Sequence, residues 1–70
     1  MNYEDVEDIA IELYENYPEV DPLQVRFTDL LGYVLAIEGF KGTREQSNEA
    51  KLEAIQMAWW EEWKDNHEND

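Results

Sequence analysis

The stretch DPLQVRFTD, Asp21 to Asp29, decides how this chain folds, because it must turn one amphipathic helical segment back onto the next. Asp21 before Pro22 reads as the N-cap and first residue of one short helical turn. An aspartate oxygen can accept from a free backbone N–H there, and proline lacks the N–H that would otherwise go unpaired. Val25 and Phe27 then alternate with Arg26 and Thr28, which predicts a brief extended segment. Thr28 is expected to cap the second helix, with Asp29 in its first turn, where a negative charge suits the helix dipole. Arg26 is one of only five Lys and Arg residues in a 70-residue chain of net charge −13. With Val25 and Phe27 facing inward, Arg26 faces out. Its planar guanidinium is expected to clamp Asp21, Asp29 or a carboxylate of the first helix. The competing reading is an arginine turned toward a partner.

Working outward, Tyr3, Val6, Ile9, Ala10, Leu13 and Tyr17 recur at spacings of three and four, which predicts a helix from Tyr3 to Asn16. Tyr17-Pro18 ends it, since proline restricts the residue before it. After the turn, Leu30, Val34 and Ile37 face inward, helped by Leu31 and Tyr33. Gly39 suits a left-handed position past the helix end, and Gly32 marks a close approach of two helices. FKGTREQ, residues 40 to 46, is the main loop. Ser47 is the expected N-cap of a third helix from Asn48 to Trp63, whose buried line is Leu52, Ile55, Trp59 and Trp63, flanked by Ala54 and Ala58. The fold class is mainly α: three helices in one domain over residues 1–64, one short extended segment, and a polar tail over 65–70 expected to fray.

Composition narrows the function. There is no cysteine, hence no disulfide and no thiolate to hold zinc or an iron–sulfur cluster. Eighteen Asp and Glu against five Lys and Arg would repel a nucleic-acid duplex and favour cations or basic protein surfaces. No apolar run reaches membrane-spanning length, and MNYEDVED lacks the regions of a signal peptide. A cytoplasmic monomer is the expectation. No Ser–His–acid set or Gly-rich phosphate loop argues for catalysis, so the chain is read as a non-enzyme.

The strongest candidate site is the acidic face of the first helix. Asp5, Asp8, Glu12 and Glu15 are spaced three and four apart, so like charges are neighbours, at roughly 0.2–0.5 kcal/mol of helix stability per pair. The bland alternative is a solvated face kept for solubility. Carboxylates are hard oxygen ligands suited to divalent cations in open geometry. His67, in the expected tail, reads as a free histidine. Trp59 lies on the core line and should be packing. Trp60, one step around the helix with Glu61 and Lys64 nearby, is a candidate interface anchor and equally reads as the lid of a small core.

YPEVDPLQVRFTDL, a second helix ending in GF, then SNEAKLEAI and a Trp, together resemble the IscX family of small acidic accessory proteins of bacterial iron–sulfur cluster assembly, over about residues 3 to 62. The resemblance implies a compact helical fold of modified winged-helix type. It also implies binding to the cysteine desulfurase that supplies sulfur, weak ferrous iron binding through surface carboxylates, and a role as adaptor, iron-dependent regulator or iron donor. On this reading Asp5, Asp8, Glu12 and Glu15 are the metal-binding acids. Together with Glu19, Trp60 and Glu61 they form the partner surface, while Asp21, Arg26, Thr28, Asp29, Ser47 and Trp59 are structural. Family members tend to carry Trp where Tyr3 stands and a run of acids where this loop reads Lys41-Gly42-Thr43-Arg44-Glu45. A different class of function also fits the residues: a generic acidic interaction module, antitoxin-like or a nucleic-acid mimic, inhibiting some basic protein. A transcription factor, which a winged helix suggests, is opposed by the charge.

Overall fold

In the computed structural model, which describes residues 1–67, the chain forms three helices: α1 (Val6–Asn16), α2 (Phe27–Leu35) and α3 (Glu49–His67). Single 3-10 turns stand at Pro22–Gln24 and Arg44–Gln46. No strand occurs among the described residues, so the winged-helix expectation finds no hairpin to serve as its wing.

α1 buries Ile9, Ala10 and Leu13 on the predicted stripe. It starts three residues later than the spacing predicts, and the reason is local. Asn2 Oδ1 accepts from the Glu4 N–H at 2.9 Å, and Asp5 Oδ2 accepts from the Asn2 N–H at 3.0 Å. These short polar side chains offer the backbone a turn in place of a helix. At the other end the Tyr17 N–H closes on the Leu13 carbonyl at 2.9 Å, just ahead of Pro18.

Through DPLQVRFTD the first half follows expectation. Asp21 Oδ1 accepts from the Leu23 N–H at 3.0 Å, and Pro22 opens the turn and is buried. The second half differs. Only Val25 and Arg26 are extended, and α2 already begins at Phe27. Arg26 therefore stands at the N-cap, its carbonyl accepting from the Leu30 N–H at 2.8 Å with no help from its side chain. Thr28 lies inside the first turn and caps nothing; Phe27 packs against the core from the first helical position and brings the helix start forward. Asp29 is in the first turn, as expected.

The arginine clamp is not formed. Arg26 is exposed and makes no ion pair among the described residues. In water such a pair is worth about 0–1 kcal/mol, too little to fix a long side chain. The bend is held instead by Gln56 of α3, whose Nε2 donates to the carbonyls of Pro22 at 2.9 Å and Val25 at 3.2 Å.

Past α2, the Ile37 N–H returns to Val34 and the Phe40 N–H to Ile37, both at 3.1 Å, with Gly39 at φ +84°. That backbone conformation is unfavourable for a residue with a Cβ. Gly32 faces open space, so no helix approaches it closely.

The main loop is pinned by the N-terminus. Lys41 N–H donates to the Met1 carbonyl at 2.7 Å, and the Tyr3 hydroxyl donates to the Thr43 carbonyl at 2.7 Å. The Tyr3 and Phe40 rings meet edge to face at 5.0 Å, and both lie against the Cα of Gly42. Ser47 does not cap α3. Its Oγ donates to the Arg44 carbonyl at 2.7 Å and closes the second 3-10 turn. Asn48 is the cap, its Oδ1 accepting from the Lys51 N–H at 2.8 Å.

α3 is 19 residues long and receives α1, α2 and the first 3-10 turn. Leu52, Ile55 and Trp59 are buried, Trp59 completely, as the spacing predicts. Trp63 is only half-buried and Ala54 is exposed. The helix continues through Asp65 and Asn66 to His67, where a frayed tail is expected from the sequence. Once a helix is nucleated each further residue adds a bond, and Asn66 Nδ2 donates to the Glu62 carbonyl at 2.7 Å near the end. The His67 side chain and residues 68–70, the rest of that tail, lie outside the described residues. No helix among the described residues is long and apolar enough to cross a membrane.

Candidate functional site

α1 and α3 pack along one another and carry acids on the surface they share. On α1, Asp8 and Glu15 are exposed and Glu12 is half-buried. Among the described residues, none of the three has a cationic partner within salt-bridge distance. Asp5 is half-buried at the helix N-cap, with one oxygen committed to the Asn2 N–H. Glu19 is exposed beyond the C-terminus of α1. The helical spacing does bring Asp8 and Glu12 to one face. Among the described residues, however, no group of three or more His, Asp or Glu side chains is placed to hold a metal ion. The donor set therefore does not fit a closed metal site.

On α3, Trp60 is half-buried rather than free, since Lys64 Nζ lies 4.8 Å from its ring centroid. The same ammonium stands 4.0 Å from Glu61 Oε2. Glu61 thus sits between that cation and a groove of about 360 Å³ where α1 faces α3. Its lining is part apolar, Ala10, Ile11 and Ala58, and part acidic, Glu7, Glu61, Glu62 and Asp65. Of these seven residues only Glu61 is a predicted site residue. The signal for the others lay in two features: Ile11 is an apolar residue off the buried stripe of α1, and Ala10 and Ala58 are small where the helices face each other. Ile11 keeps 41% of its surface exposed.

The opposite end of α3 carries Lys51, whose Nζ donates to the Gln46 carbonyl at 2.9 Å and lies 5.6 Å from the Tyr3 ring centroid. Tyr3 holds its hydroxyl proton more tightly than its ordinary value of 10.0 implies. Burial is the main cause and Glu45 adds to it, while a hydrogen bond with Ser47 and the charge of Arg44 act against it. These residues fasten the loop and leave the acidic surface as the chemically available face.

The iron–sulphur cluster assembly family model matches residues 1–64 of this chain, which takes in all but the last turn of α3. The chain belongs to the IscX family. It is 47% identical over 62 residues to an uncharacterized protein of Pseudomonas aeruginosa, covering 89% of this chain and 94% of that one. The match to the IscX model spans all three helices up to Lys64, so the groove between α1 and α3 lies almost wholly within it. Membership ties the protein to iron–sulphur cluster assembly and to its machinery.

Proposed function

We propose that this IscX-family protein is a non-enzymatic, cytoplasmic accessory of cluster assembly that docks on the cysteine desulfurase through the acidic surface of α1 and α3. The observation that carries this reading is the run of carboxylates Asp8, Glu12 and Glu15, which have no salt-bridge partner among the described residues. Leaving like charges adjacent works against the helix, and a basic partner surface removes that repulsion while steering association. Ferrous iron enters the reading as exchangeable cargo. Asp8 and Glu12 can each give an oxygen ligand, with water supplying the rest, which suits a cation that is picked up and released. Through these contacts the protein tunes sulfur delivery.

The test is desulfurase turnover and binding, measured with and without this protein, across ionic strength and with and without ferrous iron. Binding should weaken steeply as salt shortens the Debye length below about 8 Å. An affinity flat across that range would remove the electrostatic interface, and turnover indifferent to the protein would remove the regulatory role.

A further inference from the structure

The groove between α1 and α3 combines two chemistries that a purely electrostatic face does not need. It is lined by acids, Glu7 from α1 and Glu61 and Glu62 from α3, and by the apolar Ala10, Ile11 and Ala58. Among the described residues, three large apolar side chains are left exposed, Ile11, Leu23 and Met57, and of these Ile11 lines this groove. A single exposed isoleucine is ordinary on a surface; what sets this one apart is that it lines a groove between two helices beside three carboxylates, where its apolar surface is available to be covered. A metal ion does not explain it, since the required ligand group is absent among the described residues. An anionic ligand would be repelled by the carboxylates, and a neutral polar ligand would leave the apolar surface of Ile11 uncovered.

The occupant that matches both halves is an amphipathic segment with an apolar side chain flanked by lysine or arginine. The apolar group would reach Ile11 and the cations would meet Glu7, Glu61 and Glu62. We infer that this groove is the seat of such a basic amphipathic segment of a partner protein. The partner is thereby gripped by an apolar anchor with charged contacts beside it, the usual division between contacts that hold and contacts that steer. The docking reading above supplies the identity of the partner, and the inference rests on it for that identity alone; the chemistry of the segment comes from the groove. Lys64 is part of the same device. It lies over Trp60 and 4.0 Å from Glu61, so an incoming cation competes with it for that carboxylate.

The test uses fluorescence anisotropy at physiological salt with two labelled peptides of equal length and charge, an amphipathic Lys/Leu peptide and a Lys/Ser peptide. The full chain should bind the Lys/Leu peptide about tenfold more tightly, the worth of burying one apolar side chain at an interface. Ile11→Ser should abolish that preference and leave Lys/Ser binding as it was. Glu7→Gln with Glu62→Gln should weaken both peptides alike. Ala58→Gln, which fills the apolar part of the lining from the other helix, is the second variant should Ile11→Ser disturb the fold. Equal affinity for the two peptides, or a preference that survives both Ile11→Ser and Ala58→Gln, overturns the inference. Titrating the same variants with the desulfurase separates the two claims. A parallel loss there supports both. If the wild-type chain ignores the desulfurase while keeping its Lys/Leu preference, the docking reading fails and the groove assignment stands.

Discussion

The side-chain amide of Gln56, midway along α3, donates to the carbonyl of Pro22 at 2.9 Å and so ties the helix to the bend that precedes α2. The same nitrogen reaches the Val25 carbonyl at 3.2 Å. One side chain thus satisfies two backbone acceptors, across sequence separations of 34 and 31 residues, in a segment with few backbone bonds of its own.

Gln56→Ala should accordingly destabilise the fold by about 1–3 kcal/mol, the range for leaving the partly buried Val25 carbonyl unpaired, while the Pro22 carbonyl keeps the Val25 N–H at 3.3 Å. Arg26→Ala should stay within about 0.5 kcal/mol of wild type, as exposed substitutions usually do. Urea denaturation of both variants checks the pair. A larger loss at Arg26 than at Gln56 would show that the clamp was assigned to the wrong side chain.

Gly42 is held for space rather than for dihedral freedom. A Cβ there would stand 2.7 Å from ring atoms of both Tyr3 and Phe40. Gly42→Ala should cost about 1–3 kcal/mol, as overpacking does elsewhere. Amide exchange should show the loosening at the N-terminus and the loop, not in α2. Gly39→Ala acts by the other route, through a left-handed backbone, and should cost about 1 kcal/mol.

Tyr3 makes stability sensitive to alkaline pH. Its folded-state value lies above the ordinary 10.0, mainly because burial disfavours the phenolate. The folded state therefore binds the proton more tightly than the unfolded state. The contribution is fully present below the unfolded value and is lost as pH rises through the folded one. Thermal unfolding should thus show a fall in stability from about pH 10 upward. Tyr3→Phe should flatten that fall, at a cost near neutral pH of about 1 kcal/mol for the bond to Thr43.

Charge and anchor should separate kinetically in desulfurase binding. Asp8→Lys with Glu12→Lys should slow association and flatten its salt dependence, because those carboxylates act at a distance. Ile11→Ser should instead speed dissociation, since an apolar anchor matters only after contact. Stopped-flow and surface-based kinetics distinguish the two. A double reversal that stays folded and associates at the wild-type rate would place the interface elsewhere.

The helices were legible in the sequence because their apolar periods are long. Ile9, Leu13, Leu30, Val34, Leu52, Ile55 and Trp59 are buried as their spacing requires. The ends were less so. Thr28 and Ser47 are good capping residues by type, but Phe27 packing moved one helix start forward, and Asn48 took the cap of α3 while Ser47 closed the turn before it. Gln56 could not be found by pattern, since an amide on an α3 face gives no hint that two carbonyls more than thirty residues away will meet it. The acids of α1 were visible as a face. The groove was not, because it exists only where Glu7 and Ile11 of one helix meet Ala58 and Glu62 of another.

The arrangement of the three tryptophans gives the molecule its own optical gauge. Trp59 is sealed from solvent and should report only unfolding. Trp60 lies beneath the Lys64 ammonium, whose other neighbour is Glu61 on the groove. A ligand that claims Glu61 frees that ammonium to shift, and the indole beneath it then senses a different field. Emission from an otherwise unlabelled protein would thus change in wavelength on occupancy of the groove and in Trp59 intensity on melting, letting one cuvette distinguish a bound chain from a broken one.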